Sequence, residues 1–223
     1  MSRGILFFLF SAFSFQGFAL EYPLCDSVNL FKQPCYERVE NIRPTQFNVG
    51  AIRAQQRIKR IERAYAEDDF YNYINNRPAP VVVGSDGGLY IYDRHHLSYG
   101  IYHADISEES KVVLIEVKRS FESLDEQSFR DYMKKNSRVY LYDKGLQRSF
   151  DHLPRYINKL GDDVYRSFIW LAISEGVIHK PDDSRPYFEF FLADLIREKI
   201  DLNSADQTIE SLKNKLPLLD LYL

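Results

Sequence analysis

The stretch from Val81 to Ala104 limits the possible folds more than any other, because strand, turn and helix signals follow one another in it without a gap. The consecutive valines Val81–Val83 are β-branched and predict a buried strand. Asp86-Gly87-Gly88 is a strong signal for a tight turn between two strands, and Leu89–Tyr92 provides the return strand. The stretch therefore predicts a β-hairpin.

The hairpin leads directly into a predicted helix. Four polar residues, Asp93-Arg94-His95-His96, end the return strand, and apolar residues then recur at helical spacing at Leu97, Ile101 and Ala104. The start of a helix presents unpaired backbone N–H groups and the positive end of the helix dipole. With Arg94, His95 and His96 at the same point, the junction is predicted to bind phosphate and to hold the chemistry of the protein.

The composition indicates a globular protein without a general affinity for nucleic acid. The 223 residues are 45% hydrophobic and 27% charged, and this length fits one large domain or one domain with an appendage. The net charge of −3 does not create the global basic field that is usual in proteins held by DNA backbone contacts. Charge therefore does not favour nucleic acid as a partner, although a local basic patch stays open.

The first nineteen residues are predicted to be a secretory signal peptide. Arg3 supplies an early positive charge, the run from Ile5 to Phe15 is apolar, and the small residues Gly17 and Ala19 precede a cleavage point. The apolar run is short for a membrane span, although an N-terminal anchor or a buried helix is the alternative. We expect a mature chain that begins near Leu20, is exported to the periplasm or secreted, and has no contact with a membrane after cleavage.

The two cysteines, Cys25 and Cys35, follow this cleavage point closely. In an oxidising compartment they are expected to form a disulfide that ties down an arm at residues 20–40. Zinc binding, which requires two distant histidines in addition, and a catalytic thiol are the alternatives.

The rest of the chain predicts an α+β fold with a mixed core at 41–145 and a helical C-terminal extension at 146–223 packed on that core. Strands are predicted at Tyr36–Val39, Lys111–Val117 and Arg138–Tyr142. Helices are predicted at Val49–Glu67 with Asn48 as its cap, around Phe70–Ile74, at Asp125–Lys135, in two segments beyond His152, and at Ala205–Leu216. The first helix is the most basic segment, and its positive residues form either a solvated face or a partner-binding face: Arg53, Arg57, Lys59, Arg60 and Arg63.

Several collinear motifs between residues 40 and 200 resemble the putative ParB-like nuclease family of the ParB/sulfiredoxin superfamily. The motifs are Arg43-Pro44-Thr45-Gln46, Val49-Gly50, Pro80-Val81-Val82, Tyr90-x-x-Asp93-x-His95-His96-Leu97, Tyr140–Asp143, Leu153-Pro154, Asp162-Asp163-x-Tyr165-Arg166-Ser167, Glu189-Phe190 and Ala193-Asp194-x-x-Arg197. The resemblance implies a ParB/sulfiredoxin-like core in which the segment Asp93–His96 corresponds to a loop that holds nucleotide phosphates.

The same resemblance limits the chemistry. His95 stands where the sulfiredoxins carry their catalytic cysteine, and Leu97 stands where they carry an arginine, so sulfiredoxin chemistry is not expected. The ParB partition proteins carry an arginine-rich loop and a helix-turn-helix for DNA, and the sequence shows neither. Other members of the superfamily are free serine kinases, which use a carboxylate as base.

The predicted site combines acid/base groups with phosphate ligands. His95 or His96 is expected to transfer protons, because imidazole titrates near neutral pH, and Asp93 orients a histidine, joins a metal site or caps the helix. By resemblance, Arg43 and Gln46 face the same pocket as Arg94. The segment leading into the next helix holds Arg166, which either lines the site or belongs to an Asp–Arg brace between core and extension.

Three functions follow from these features. The first is a nuclease or another enzyme that acts on a phosphate ester or nucleotide. The second is a nucleotide-dependent small-molecule kinase of the free serine type, which needs Mg²⁺ with its nucleotide and a base from Glu37, Glu40 or Asp93. The third is a non-enzymatic nucleotide- or partner-binding module that uses the basic helix. The sequence fixes neither the substrate nor the oligomeric state.

Overall fold

A computed structural model describes residues 21–182, 186–202 and 208–221 of the protein. The predicted signal peptide lies outside the described residues, as does the beginning of the predicted helix at Ala205–Leu216. In the part of the chain that is described, no helix is long and apolar enough to cross a membrane.

The fold is α+β, as predicted. The strands are β1 Cys35–Arg38, β2 Ile42–Arg43, β3 Asn48–Val49, β4 Ala79–Val83, β5 Leu89–Ile91, β6 Val112–Ser120, β7 Tyr142–Asp143, β8 Leu146–Gln147 and β9 Gly161–Asp162. The helices are α1 Ala51–Ala66, α2 Phe70–Asn75, α3 His95–His103, α4 Glu126–Lys135, α5 Val164–Ser174, α6 Phe188–Arg197 and α7 Ile209–Lys215.

The predicted hairpin forms the centre of a five-stranded sheet in the order β1-β6-β4-β5-β2. β4 pairs antiparallel with β5 and parallel with β6, and Gly87 makes the connecting turn with a φ of 73° that favours glycine. All three valines of the hairpin are buried because the sheet is covered on both faces. Val81 and Val83 pack in the main core with residues of α1 and α3, whereas Val82 packs with Phe129 of α4.

The disulfide between Cys25 and Cys35 is confirmed, with the two Cα atoms 4.9 Å apart. Backbone hydrogen bonds extend the link, since the Cys25 N–H donates to the Tyr36 carbonyl at 2.9 Å and the Tyr36 N–H donates to the Pro23 carbonyl at 2.8 Å. Because each sulfur is bonded to the other, neither cysteine serves as a metal ligand or a catalytic thiol.

The predicted start of the first helix is wrong. Asn48 does not cap α1 but belongs to β3, which pairs in parallel with β9 at Asn48–Gly161. The N-terminal amides of α1 are instead satisfied from β9 and α5. The Asp162 carboxylate accepts from the Ala51 N–H at 2.7 Å, and the Ser167 hydroxyl accepts from the Ile52 N–H at 3.3 Å. This cap is non-local, so the sequence around residue 48 does not reveal it.

The predicted strand Arg138–Tyr142 is also wrong. In this region only Tyr142–Asp143 forms a strand, which pairs antiparallel with the two-residue strand β8. The Tyr140 N–H donates to the Thr45 carbonyl at 2.9 Å, and the Tyr140 ring stacks on Tyr187. Alternation of aromatic and aliphatic residues here serves packing between loops rather than sheet formation.

The C-terminal helices bury a second apolar cluster, which includes Phe168 and Ile169 of α5 and Ile196 of α6. Ile52 of α1 joins this cluster, so the helices pack on the mixed core. The last helix begins at Ile209, where Thr208 caps it by accepting from the Ser211 N–H at 3.1 Å.

Candidate anion-binding pocket

The chain enters α3 through a strained turn. Arg94, the residue before the helix, has a φ of 69° in the left-handed region, and its N–H donates to the Asp93 carboxylate at 2.6 Å. Asp93 therefore stabilises the turn and is not the helix cap that the sequence suggested. The first-turn amides of α3, from His95 to Leu97, have no partner within the helix and create a positive end.

A cavity of about 520 Å³ lies at this helix start. It brings together five of the predicted site residues: Gln46, Asp93, Arg94, His95 and His96. Arg166 of α5 also lines it, in agreement with the site-lining alternative. Among the described residues, six cationic side chains and two carboxylates line it: Arg53, Arg57, Arg77, Arg94, Arg166 and Lys180 against Asp93 and Glu189.

His95 is a neutral, buried hydrogen-bond acceptor. Its side chain lies in the core, with 4% of the residue exposed, and the Thr45 N–H donates to its Nε2 at 3.1 Å. Burial lowers the pKa of His95 from 6.5 to about 4, so the ring is uncharged at neutral pH.

The adjacent residue, His96, also accepts a hydrogen bond from a backbone N–H. The Gly50 N–H donates to its Nε2 at 3.2 Å. Burial, followed by the charges of Arg166 and Arg53, lowers the pKa of His96 well below its usual value. The two adjacent rings thus hold the backbone at both ends of segment 45–50 against α3, and each uses its Nε2 lone pair for that contact.

Glu189 at the start of α6 holds a cluster of three cations. Its carboxylate lies 3.0 Å from the Arg53 guanidinium and 3.1 Å from the Lys180 ammonium, and it contacts the Arg166 guanidinium directly. Burial and the charge of Arg57 lower the pKa of Arg53 to about 10, and burial together with Arg166 lowers the pKa of Lys180. One carboxylate thus leaves the cluster with excess positive charge.

Arg166 is the most constrained of these cations. Only 5% of the residue is exposed, and one guanidinium nitrogen, Nη2, contacts Glu189. The other two nitrogens, Nε and Nη1, are buried and have no hydrogen-bond partner among the described residues. Leaving a buried donor unpaired costs about 1–3 kcal/mol, so Arg166 has two donors whose hydrogen bonds the described residues do not satisfy.

A second cationic group lies between α1 and the end of α2. The Arg57 guanidinium donates to the Tyr73 hydroxyl at 2.6 Å, and the Arg77 guanidinium lies 4.1 Å from the centre of the Tyr73 ring. Within the described part of the chain, neither arginine has a carboxylate partner, so both charges face the pocket uncompensated.

Arg43 does not lie among the described residues that line the pocket. Its guanidinium contacts the Asp86 carboxylate and donates to the Tyr90 hydroxyl at 2.9 Å, where it covers the hairpin turn at Gly88. Gln46 does reach the pocket, but its amide donates to the Asn48 carbonyl at 2.6 Å.

An Asp–Arg pair forms in this segment with Arg197 and not Arg166, and it joins two helices of the extension, so the predicted brace between core and extension is wrong. Asp163 caps α5 by accepting from the Tyr165 N–H at 3.1 Å, and its carboxylate pairs with Arg197 of α6 at 2.7 Å. Arg166 is thereby left to the pocket.

Several lining residues did not appear among the predicted site residues. Arg53 and Arg57 are four positions apart on α1 and thus share a face, which is a signal that the sequence contained. Glu189 belongs to the Glu189-Phe190 motif, which by itself indicates no position in the pocket. Tyr187 carries no such signal, because its left-handed backbone with a φ of 60° and its 3.0 Å contact with the Thr45 hydroxyl depend on the tertiary fold.

The fold and this pocket define an α+β protein with a cationic cleft where a central hairpin enters a helix. The chain belongs to the putative ParB-like nuclease family, whose model matches residues 35–198. Its fold is similar to that of protein Atu1540 from Agrobacterium tumefaciens, with a TM-score of 0.67 and 25% sequence identity over 83% of this chain and 91% of that chain. No curated protein matches the chain.

Proposed function

We propose that the protein binds the phosphate group of a nucleotide or phosphate ester in this pocket and acts on that group as a nuclease or related phosphate-ester enzyme. The observation that carries the proposal is Arg166, a buried cation that lines a cavity at a helix N-terminus and whose Nε and Nη1 have no hydrogen-bond partner among the described residues. Phosphate oxygens are the acceptors that such donors and such a helix end bind best.

The surrounding charges suit a phosphoryl group in the transition state. Arg53 and Arg57 project from one face of α1 into the pocket, and both are expected to stabilise charge on the transferred phosphoryl oxygens. Of the lining residues that the structure describes, the six cations exceed the two carboxylates by four charges, so a doubly charged phosphate enters a positive field there.

Asp93 is the carboxylate best placed to act as a general base. Glu189 is engaged by three cations, whereas the Asp93 side chain is 60% exposed and its ion pair among the described residues is with the Arg94 guanidinium alone, at 3.5 Å. It would take a proton from an attacking water or hydroxyl. His95 and His96 fit a positioning role better than the acid/base role expected from the sequence, because both Nε2 atoms already accept backbone N–H groups.

The kinase alternative shares this site and differs in its nucleophile. Of the three carboxylates considered as its base, only Asp93 lines the pocket. Glu37 instead accepts a hydrogen bond from Asn41, and Glu40 pairs with Arg38. Mg²⁺ is usually held by one or two carboxylates together with substrate phosphates, and Asp93 would supply one such ligand. The bound ion would neutralise phosphate charge.

The non-enzymatic alternative is favoured by the engaged histidines, because a binding module needs no free proton-transfer group. Turnover by the Asp93→Asn variant tests the enzymatic functions. We expect the wild type to cleave a labelled oligonucleotide or to consume a nucleoside triphosphate in the presence of Mg²⁺ or Mn²⁺, and the variant to lose at least about a hundredfold in rate while it retains binding. Binding without turnover by the wild type would refute the enzyme and support the module.

We also propose that the mature protein is exported. The predicted signal peptide and the Cys25–Cys35 disulfide support this proposal. Expression of the full chain in a bacterial host followed by N-terminal sequencing should place the mature start near Leu20, and a retained Met1 would contradict export.

A further inference from the structure

We propose that the arm closed by the Cys25–Cys35 disulfide docks the protein on the surface of a lipid bilayer that contains anionic lipids. The arm has an apolar face of three large side chains, Leu24, Val28 and Phe31, which are 60%, 57% and 50% exposed. None of the three lines the cationic pocket. The inference therefore goes beyond the proposed function, and it departs from the expectation that the mature chain has no contact with a membrane.

The arm holds a fixed conformation between its two cysteines. The Asp26 carboxylate accepts from the Val28 N–H at 2.8 Å and from the Asn29 N–H at 2.7 Å, and it thereby starts a helical turn. The Leu30 N–H donates to the Asp26 carbonyl at 3.0 Å, and the Leu30 side chain packs against the main core. Because the disulfide joins the two ends of the loop, binding does not have to order it.

This conformation directs apolar side chains outward. Val28 and Phe31 are three positions apart in the turn and therefore project from one side of it. Leu24 comes just before the loop, where it forms a bridge with Tyr36 of β1. A single exposed apolar residue is common in globular proteins, but three large ones between positions 24 and 31 indicate an interaction site.

The segment before the arm indicates that this site meets lipid. The apolar run Ile5–Phe15 is the part of the predicted signal peptide that enters the membrane. Leu24 follows Phe15 by nine residues, which span at most about 30 Å when fully extended. The arm therefore stays near the membrane surface for as long as the run is in the bilayer, either before cleavage or as the alternative anchor. This step rests on the proposed export.

The charges of the arm suit anionic lipid. The carboxylate of Glu21 accepts from the Asn75 side chain at 2.7 Å, and that of Asp26 is occupied by the turn. Lys32 follows Phe31, is exposed, and pairs with no carboxylate among the described residues. Apolar side chains beside a free lysine match an interface where acyl chains lie beneath negative headgroups.

A second copy of the chain fits this face less well than a bilayer. A stable protein interface buries about 800 Å² on each partner. Three side chains that are only about half exposed cannot supply that area. A bilayer requires no matching surface, and a few apolar side chains together with a positive charge are sufficient for reversible binding.

The test measures co-sedimentation of the protein with vesicles of phosphatidylcholine alone or mixed with phosphatidylglycerol. The protein is used with its disulfide intact and without residues 1–19, so that the apolar run cannot itself bind lipid. We expect binding to both kinds of vesicle, with higher affinity for the mixed ones. Phe31→Ser should weaken binding to both about tenfold, and Lys32→Gln should weaken binding to the mixed vesicles alone, about fivefold. Leu146→Ser is the matched control and should behave as wild type, because Leu146 is 61% exposed on β8, outside the arm.

The outcomes separate the arm from the pocket. Failure of the wild type to sediment with either kind of vesicle, or an equal loss in Leu146→Ser, overturns the docking and leaves the proposed function standing. Release from phosphatidylcholine vesicles by inorganic phosphate would assign the lipid to the cationic pocket and overturn the docking as well. A wild-type mass in light scattering that doubles with concentration, and stays monomeric in Phe31→Ser, would assign the face to a second copy instead. Urea unfolding of Phe31→Ser should give the wild-type midpoint, so that its loss of binding is not a loss of fold.

Discussion

His95 should make the stability of this protein depend on pH in a defined window. Its ring is buried and neutral, and its pKa is lowered from 6.5 to about 4. Between these two values the unfolded chain binds a proton that the folded chain does not bind, so the free energy of unfolding rises with pH across the window and is lost as the pH falls. A shift of this size corresponds to about 3 kcal/mol.

The variant His95→Gln removes the titrating group. The glutamine side-chain carbonyl is expected to reach the Thr45 N–H, which donates to the histidine Nε2 at 3.1 Å in the wild type. The ring also forms a hydrogen bond with the backbone of Ile91, and its loss should cost about 1 kcal/mol at pH 7. The variant should therefore be less stable than the wild type at neutral pH and lose less stability on acidification.

Urea unfolding of the mature protein at intervals from pH 4 to pH 7.5 provides the measurement. The difference between the two pH profiles should change by about 3 kcal/mol across this range. His152→Gln is the matched control, because His152 is exposed and its replacement should leave the profile unchanged. Parallel profiles for wild type and His95→Gln would refute the assignment of His95 as a neutral group locked in the core.

Three further perturbations have defined outcomes. The pKa of Lys180 is lowered by burial and by Arg166, so phosphate affinity measured by calorimetry should fall as the pH rises through that lowered pKa. Lys180→Arg should remove this pH dependence, because arginine stays charged. A wild-type affinity that does not change with pH would contradict the prediction. Replacing Cys25 and Cys35 with serine opens a loop with a sequence separation of 10 and should lower the free energy of unfolding by about 2–3 kcal/mol in urea, whereas an unchanged midpoint would show that the arm adds no stability. Gly50→Ala places a Cβ 2.8 Å from the Ser167 hydroxyl and 2.9 Å from the Ser167 backbone nitrogen. This overlap should cost about 1–3 kcal/mol of stability and lower the melting temperature. A melting temperature equal to that of the wild type would refute the close approach.

The local signals in the sequence predicted the part of the fold on which the pocket stands. Val81–Val83, the glycine turn and the helical spacing after Asp93 agree with one another, and the structure has the hairpin and α3 where they indicate. The predicted helix cap at Asn48 and the predicted strand at Arg138–Tyr142 are wrong because contacts with distant segments determine the structure there. Asn48 pairs with β9, and Tyr140 binds the Thr45 carbonyl.

The sequence predicted which residues begin α3 at the candidate pocket, and it predicted less of the rest of the pocket lining. Asp93–His96 lies at the pocket, yet the two histidines use their Nε2 atoms for backbone contacts that no sequence pattern shows. Arg43 was expected in the pocket from its motif, but Asp86 and Tyr90 hold it at the hairpin turn. Glu189 and Arg166 meet only because α5 and α6 pack together, and this contact between helices determines the charge of the pocket.

The central claim is that the cationic cavity at the start of α3 binds phosphate, and calorimetric titration tests it most directly. Inorganic phosphate and a nucleoside triphosphate would be titrated into the mature wild type, Arg57→Gln and Arg60→Gln. Arg57 lines the cavity, whereas Arg60 is exposed on the same helix outside it. We predict that the wild type and Arg60→Gln bind with equal affinity and that Arg57→Gln binds about tenfold more weakly. Absence of binding by the wild type, or equal affinity in all three proteins, would contradict the account.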